Sequence, residues 1–191
     1  MRYSWRLPSS FHDTMSTARR AAKALALGHA AVTATGMLNT ALTTPPPRPT
    51  SAAPSAQTAR LLPVVKKIYS GGGIDAAMLA EDASWTDMTA ACHGRTAFME
   101  TAHALAVKCM PEHVEEPIPM PATGSESAFF LSLRYFGSLE VKSVLVVGVD
   151  KDGRITTLED RLNGAPLLEF SAFRFVRRVN GVFRELAQKC I

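Results

Sequence analysis

Three consecutive strand patterns restrict the folds open to this chain more than any other feature. They cover residues 126–136, 140–149 and 154–161, where β-branched, aromatic and leucine side chains are frequent. The second and third patterns are joined by Asp150-Lys-Asp-Gly153, in which acidic turn formers precede a glycine that tolerates a positive φ angle. Such short connections join antiparallel neighbours. The sequence therefore predicts a meander of long antiparallel strands.

Helical periodicity precedes this meander and returns after it. Apolar residues recur every three to four positions over 61–68, and glycines then end the pattern. A short second helix is predicted over 75–81, where Asp75 can cap it, and a third opens at Gly94. A last helix is predicted within 166–191, with apolar positions at helical spacing and a solvated basic face as its default.

Two further segments complete the outline of the fold. Residues 83–88 have the pattern of a short strand, and 111–124 hold four prolines, which predicts a loop or a distorted edge strand. Helices followed by a meander pack together on one face of a curved sheet. The predicted fold class is therefore α+β, with three N-terminal helices against the sheet and a C-terminal helix.

Basic residues are concentrated in the N-terminal part of the chain. Residues 1–54 hold six of the 21 Lys and Arg residues but only one of the 17 acidic residues, and they end in a proline-rich spacer. This composition is typical of an organelle transit peptide, and 15–27 can form the basic amphipathic helix that import requires. We therefore predict a disordered leader over 1–57 with mitochondrial import, followed by one folded domain over 58–191.

Other interpretations of the leader stay open. Residues 24–42 are uncharged and are compatible with a weak membrane anchor or a signal sequence, but they are mostly Ala, Thr and Gly. A membrane location is therefore not expected. Import into another organelle and a disordered tail on a cytoplasmic protein are the remaining alternatives.

Composition excludes several classes of protein. Beyond residue 54 the chain has 15 basic and 16 acidic residues, so the sequence pI of about 9.1 comes from the leader. A nucleic-acid-binding domain is not expected. Three cysteines without a CxxC motif do not predict a disulfide framework, and they favour a reducing compartment.

The order of these elements resembles the nuclear transport factor 2-like superfamily, in particular its SnoaL-like branch, over about residues 60–165. Three motifs carry the resemblance. They are Ala80-Glu-Asp-Ala-Ser-Trp-Thr-Asp87, Gly94-Arg-Thr-Ala-Phe98, and the hairpin that leads to Ile155-Thr-Thr-Leu-Glu-Asp-Arg-Leu-Asn-Gly164.

The resemblance implies a cone: a strongly bent sheet wrapped by helices, with a hydrophobic pocket inside and commonly a homodimer through the outer sheet face. The superfamily includes dehydratases, isomerases, cyclases, scaffolds and proteins without known activity. Neither the Tyr/Asp/His set of its dehydratases nor the Tyr and Asp pair of its ketosteroid isomerase-like members can be placed on this sequence. No catalytic residue is therefore carried over.

The residues themselves give three candidates near the predicted pocket. Asp87 lies two positions beyond Trp85 on one face of the short strand, where burial would raise the pKa of its carboxyl and suit it to proton abstraction. Trp85 is a candidate stacking wall, with core packing as the alternative. His103, beside the apolar stripe of the third helix, is a candidate acid, base or donor, or else a border residue.

Alternation along 126–136 leaves both faces of that strand substantially apolar. One face should contact the helices, and the other requires cover from the C-terminal helix or from a second subunit, which favours a homodimer. Arg134, if it points inward, needs an acid such as Asp160 or Asp87. An inward Arg and Asp would mark a polar pocket.

Neither a cofactor nor a metal is predicted. The cysteines and histidines between residues 92 and 113 do not have the spacing of a structural zinc site. The first functional hypothesis is an uncharacterised SnoaL-like domain that binds a small apolar molecule without catalysis or serves as a dimeric structural module. The alternatives are a cofactor-free lyase or isomerase acting on a hydrophobic carbonyl compound, and a protein-interaction module that uses the apolar sheet face.

Overall fold

The computed structural model describes residues 47–50, 53–88 and 91–164. It also describes Leu27, Ala30, Ala34, Thr35, Leu38 and Arg178. Most of the predicted leader and nearly all of the predicted C-terminal helix lie outside the described residues.

Two α-helices and seven strands make up the described part of the chain. The helices are α1 (Ala56–Ile68) and α2 (Arg95–Ala104); a 3-10 helix (Ala76–Met78) lies between them and a π-helical turn (Leu105–Cys109) continues α2. The strands are β1 (Leu79–Thr86), β2 (Ala91–His93), β3 (Glu112–His113), β4 (Ile118–Met120), β5 (Glu126–Tyr135), β6 (Leu139–Val149) and β7 (Ile155–Leu162).

Helix α1 confirms the first predicted helix. The Ser55 side chain caps it by accepting a hydrogen bond from the backbone N–H of Thr58 at 3.1 Å. Leu61, Val65 and Ile68 recur on one side of the helix and are buried in the core. The helix begins two residues before the predicted domain boundary.

The prediction of a helix over 75–81 is wrong. Asp75 caps this segment as predicted, because its carboxylate accepts the backbone N–H of Ala77 at 2.9 Å, but the 3-10 helix that follows has three residues. From Leu79 the chain pairs with β7, where Leu79 lies opposite Ile155 and both are buried. Burial in the sheet outweighs the local helical preference. Three helices around the sheet are therefore not confirmed.

Within the described residues, the strands form one curved, open sheet in the order β2-β1-β7-β6-β5-β3, with β4 also paired to β5. Every neighbouring pair is antiparallel except β1 and β7, which are parallel. The predicted meander is confirmed as β5, β6 and β7. The proline-rich segment 111–124 supplies the two short strands β3 and β4 at the edge of β5.

The turn between β6 and β7 is fixed by Asp150. Its carboxylate accepts the backbone N–H groups of Asp152 at 2.9 Å and Arg154 at 2.8 Å, and it also pairs with the Arg154 guanidinium at 2.9 Å. Gly153 has a φ of 75°, which a glycine adopts without steric cost. The predicted hairpin is therefore confirmed.

The core lies between the helices and the inner face of the sheet. Phe129, Leu131 and Leu133 of β5 belong to this core, as the alternation of the strand predicts, whereas Phe130 and Arg134 face the other way. Tyr69, Trp85 and Phe98 join it from α1, β1 and α2. Among the described residues, no helix combines the length and the apolar character needed to cross a membrane.

Candidate functional site

Asp160 is a buried carboxylate on the inner face of the sheet. It lies two residues after Leu158 on β7 and opposite Leu145 on β6, and both leucines are buried. Only 6% of Asp160 is exposed. A carboxylate in such apolar surroundings is costly unless hydrogen bonds compensate for the lost water.

Two hydroxyl groups supply these hydrogen bonds. The Tyr69 hydroxyl, at the C-terminal end of α1, donates to Asp160 Oδ2 at 2.6 Å, and the Ser143 hydroxyl of β6 donates to Asp160 Oδ1. Both donors are fully buried. We call Asp160, Tyr69 and Ser143 the Asp160 cluster.

Burial raises the pKa of Asp160 from its ordinary 3.8 to about 6. The hydrogen bonds from Ser143 and Tyr69 lower the pKa, and the charge of Asp87 raises it, but both effects are smaller than that of burial. Asp160 can therefore exchange its proton near neutral pH, which an ordinary surface carboxylate does not do.

Asp87 and Tyr135 adjoin the Asp160 cluster. Thr86 lies opposite Glu159 in the parallel β1–β7 pair. The residues that follow them, Asp87 and Asp160, are therefore neighbours. Tyr135 ends the inner-face row of β5, and burial followed by the charges of Asp160 and Asp87 raises the pKa of its phenol. Tyr135 is therefore a neutral hydroxyl group throughout the physiological pH range.

Trp85 forms an aromatic wall beside the cluster. Its ring centre is 6.3 Å from that of Tyr69 and 5.3 Å from that of Phe98, and it is 1% exposed. The buried indole N–H of Trp85 has no hydrogen-bond partner among the described residues. An unpaired buried donor costs about 1–3 kcal/mol, so an acceptor oxygen that reached this group would remove that cost.

His113 is a second aromatic neighbour of Tyr69. The edge of its ring faces Tyr69 with 6.4 Å between ring centres, and its Nε2 lies 3.4 Å from the Lys66 carbonyl oxygen. Partial burial lowers the pKa of His113, so the imidazole is neutral at pH 7 and donates its Nε2 proton to that carbonyl. His113 therefore orients Tyr69 without adding charge.

Exposed apolar side chains form a rim where the π-helical turn meets the β5–β6 turn. Its members are more than half exposed: Val107, Met110, Phe136 and Leu139. The backbone N–H of Phe136 donates to the Cys109 carbonyl at 3.1 Å, which joins the π-helical turn to the β5–β6 turn. Cys109 also influences the pKa of Tyr135. The rim therefore lies next to Tyr135, which adjoins the Asp160 cluster.

The structure brings three of the five predicted site residues together. Trp85 on β1, Asp87 directly after β1 and Asp160 on β7 lie close together on the inner side. His103 is on the exposed side of α2, and Arg134 is on the outer face of β5, where its guanidinium pairs with Glu140 at 2.6 Å. Arg134 therefore does not point inward, and neither Asp160 nor Asp87 is its partner, contrary to the prediction.

The sequence does not predict Tyr69, Ser143 and Tyr135 as site residues. Tyr69 and Asp160 are 91 positions apart, and the chain shows no motif that links them. A weak signal did exist: Ser143 and Asp160 interrupt apolar alternations on neighbouring strands, where a polar residue facing the core requires a partner.

No group of three or more His, Cys, Asp or Glu side chains within the described ranges has an arrangement that could hold a metal ion. Two surface grooves are lined by described residues. The larger, of about 330 Å³, lies between the start of α1 and residues 119–126, and the smaller, of about 200 Å³, lies beside the 150–153 turn. Neither reaches Asp160.

No family model matches the chain, and no curated protein matches it. Solved structures do show similarity. A SnoaL-like family protein from Agrobacterium tumefaciens is 16% identical with a TM-score of 0.46, and the alignment covers 56% of this chain and 98% of that one. A nuclear transport factor 2-like protein of unknown function from Mesorhizobium loti is 16% identical with a TM-score of 0.47, covering 59% and 98%.

A steroid delta-isomerase from Pseudomonas aeruginosa is 22% identical with a TM-score of 0.45, and the alignment covers 73% of this chain and 98% of that one. We transfer no residue role and no activity from proteins of this low identity and TM-score.

Proposed function

We propose that this domain binds a small, largely apolar molecule that carries one hydrogen-bond-accepting oxygen, such as a ketone, on the rim side of the Asp160 cluster. The observation that supports it most is the Asp160 carboxyl, which is buried, held by two hydroxyl groups and has a pKa raised to about 6. Perturbed carboxyls of this kind are concentrated at functional sites.

The apolar part of the ligand is inferred from the surroundings of the cluster. Val107, Met110 and Phe136 are exposed at the rim, and Trp85 and Leu133 are buried behind it. Ligand sites combine such an apolar lining with a few convergent polar groups. An anionic ligand would lose its hydration and meet charges of its own sign here, because the ionisable groups at the site, Asp87 and Asp160, are both acidic.

The accepting oxygen is inferred from the donors. The Trp85 indole N–H lacks a partner among the described residues, Tyr135 keeps its phenolic proton, and Asp160 can donate a proton when it is neutral. A carbonyl oxygen can accept from such groups. A hydrocarbon of the same shape would leave them unpaired, which disfavours it.

The raised pKa of Asp160 gives the proposed binding a definite pH dependence. The neutral carboxyl donates, so binding is strongest below about pH 6 and weakens above it. With a pKa of about 6, roughly a tenth of the molecules hold the proton at pH 7, so the apparent Kd for a ketone should be about tenfold weaker there than at pH 5.

A matched pair of probes tests this proposal. 2-Acetylnaphthalene and 2-ethylnaphthalene are close in size and differ in the carbonyl oxygen, and the Trp85 indole N–H signal in ¹⁵N NMR spectra reports a hydrogen bond directly. Trp5→Phe leaves Trp85 as the sole tryptophan and so assigns that signal. We expect the ketone to move the Trp85 signal and to bind more tightly than the hydrocarbon.

Two variants sharpen the experiment. Asp160→Asn presents a donor at every pH and should bind the ketone with the same affinity at pH 5 and pH 7. Asp82→Asn, an exposed aspartate on β1, is the control and should behave as the wild type does. Equal binding of both probes, or a pH dependence that persists in Asp160→Asn, would refute the proposal.

A second candidate function, a cofactor-free isomerase or lyase acting on a hydrophobic carbonyl compound, is favoured by the position of Asp87 beside Asp160. A neutral Asp160 would donate a hydrogen bond to the carbonyl oxygen while the Asp87 carboxylate accepts a proton from the adjacent carbon, leaving an enolate that this hydrogen bond stabilises. His103 has no part in this scheme because it lies on the exposed side of α2.

Proton exchange tests this second candidate without knowledge of the natural substrate. The methyl protons of 2-acetylnaphthalene should exchange for deuterium in D₂O at pH 5.5 faster with the wild type than in buffer, and Asp87→Asn should reduce exchange to the buffer rate. Exchange at the buffer rate with the wild type would reject catalysis on this ketone and leave binding alone.

A further inference from the structure

We propose that the C-terminal segment, residues 166–191, docks as a helix on the outer face of the sheet and covers Phe130. This goes beyond the proposed ligand site, which lies on the inner side.

Phe130 shows that the outer face is covered. It points away from the core, between Ile118 of β4 and Val144 of β6, yet it is only 1% exposed. Ala128, two residues earlier on the same face, is 7% exposed. Its partners Ile118 and Val144 lie in the same layer and are half-buried. Neighbours within one sheet do not bury a phenylalanine to this extent, so another layer is required.

The chain leaves the sheet next to this face. Asn163 follows the end of β7 and its backbone N–H donates to the Lys142 carbonyl at 2.6 Å. Arg161, Val144 and Phe130 lie opposite one another in a row across β7, β6 and β5. With neighbouring strands about 4.8 Å apart, Phe130 is roughly 10 Å from Arg161. A segment that follows Gly164 therefore begins beside the surface that requires cover.

The sequence of that segment fits the role. Its apolar residues recur at helical spacing, and its basic residues fall largely between them. The apolar set is Phe173, Val176, Val179, Phe183 and Leu186, and the basic set is Arg174, Arg177, Arg178 and Arg184. A helix over 173–187 is roughly 22 Å long and spans four strands.

The exposure of Arg178 agrees with a helix docked in this way. Arg178 is the described residue within the segment, and it is helical with an exposed side chain. A helix with its apolar stripe on the sheet would place Arg178 on the solvent side. Eight residues separate Gly164 from Phe173 and extend to about 30 Å at most, which is ample for the distance.

Two segments could cover the apolar outer face: the C-terminal segment of the same chain or a second copy of the chain. We propose the first. If the chain's own segment occupies this face, a second copy cannot pair through it, and the full chain should be monomeric at the concentrations used for NMR.

Methyl NMR on the full chain tests the proposal. Nuclear Overhauser effects should connect the methyl groups of Val144 and Val146 with those of Val176 and Val179. A sample that mixes labelled and unlabelled chains separates contacts within a chain from contacts between chains. Contacts within one chain are expected. Contacts between copies across the outer face, or no contact of this face with the segment, would overturn the proposal.

Substitutions within the segment provide a second measurement. Val176→Asp and Phe183→Asp should remove these contacts, lower the melting temperature by about 5 °C or more and let the exposed face pair, so that light scattering reports a dimer. Arg178→Asp is the matched control and should change neither. An equal effect of all three substitutions would count against docking by the apolar stripe, and the wild-type NMR contacts decide if a variant does not fold.

Discussion

At the scale of the single residue, Asp160 links the stability of the domain to its proposed function. A pKa raised by burial means that the folded chain holds this proton more tightly than the unfolded chain does. The contribution of Asp160 to the free energy of unfolding is therefore complete below about pH 4 and is lost as the pH rises through 6. The difference between a pKa of 3.8 and one of about 6 corresponds to roughly 3 kcal/mol.

Asp160→Asn should remove this pH dependence. Asparagine is neutral at every pH, and its side-chain oxygen can still accept a hydrogen bond from the Tyr69 hydroxyl. The free energy of unfolding of the wild type should therefore fall relative to that of Asp160→Asn by up to about 3 kcal/mol between pH 4 and pH 7. Urea unfolding at both pH values measures the difference, with Asp82→Asn as the exposed control. Parallel curves for the wild type and Asp160→Asn would show that the carboxyl is not desolvated.

The sequence is informative about single residues where the signal is local. Asp75 and the 150–153 turn can be identified from neighbouring residues, because a cap and a hairpin turn depend on adjacent backbone groups. Tyr69 and Ser143 cannot, since their role exists only once the register of β6 and β7 and the packing of α1 bring them to Asp160.

At the scale of the element, the two faces of the sheet account for what the sequence predicts and what it does not. Alternation on β5 predicts correctly that Phe129 and Leu131 face the core. The helix predicted over 75–81 fails because the pairing of Leu79 with Ile155 is a long-range interaction that local patterns do not record. The parallel pairing of β1 with β7 is also a long-range interaction, and local patterns do not record it either.

Matched leucine substitutions test this assignment of faces. Leu131→Ala on β5 should cost about 2–5 kcal/mol, because it opens a cavity in the core. Leu139→Ala at the start of β6, where 53% of the side chain is exposed, should cost no more than about 0.5 kcal/mol. Chemical denaturation measures both values. A comparable loss in the two variants would contradict the assignment of Leu131 to the core.

At the scale of the whole molecule, the two faces of the sheet have different proposed roles. Its inner face carries the Asp160 cluster beneath an apolar rim, and its outer face requires cover, which we assign to the C-terminal segment. The mitochondrial leader stays a prediction, and so does the homodimer, which competes with that assignment. The fold outline was accessible from sequence because strand and helix periods are local, whereas the site depends on contacts across the sheet.

The proposed ligand site requires that the Asp160 carboxyl exchanges its proton near pH 6 and contacts the ligand. A ¹³C NMR titration of this carboxyl from pH 3 to pH 8, alone and with 2-acetylnaphthalene, measures both directly. We predict a midpoint near the expected pKa of about 6, and a higher midpoint with the ketone but not with 2-ethylnaphthalene. A midpoint near the ordinary 3.8 that neither probe moves would contradict the proposed site.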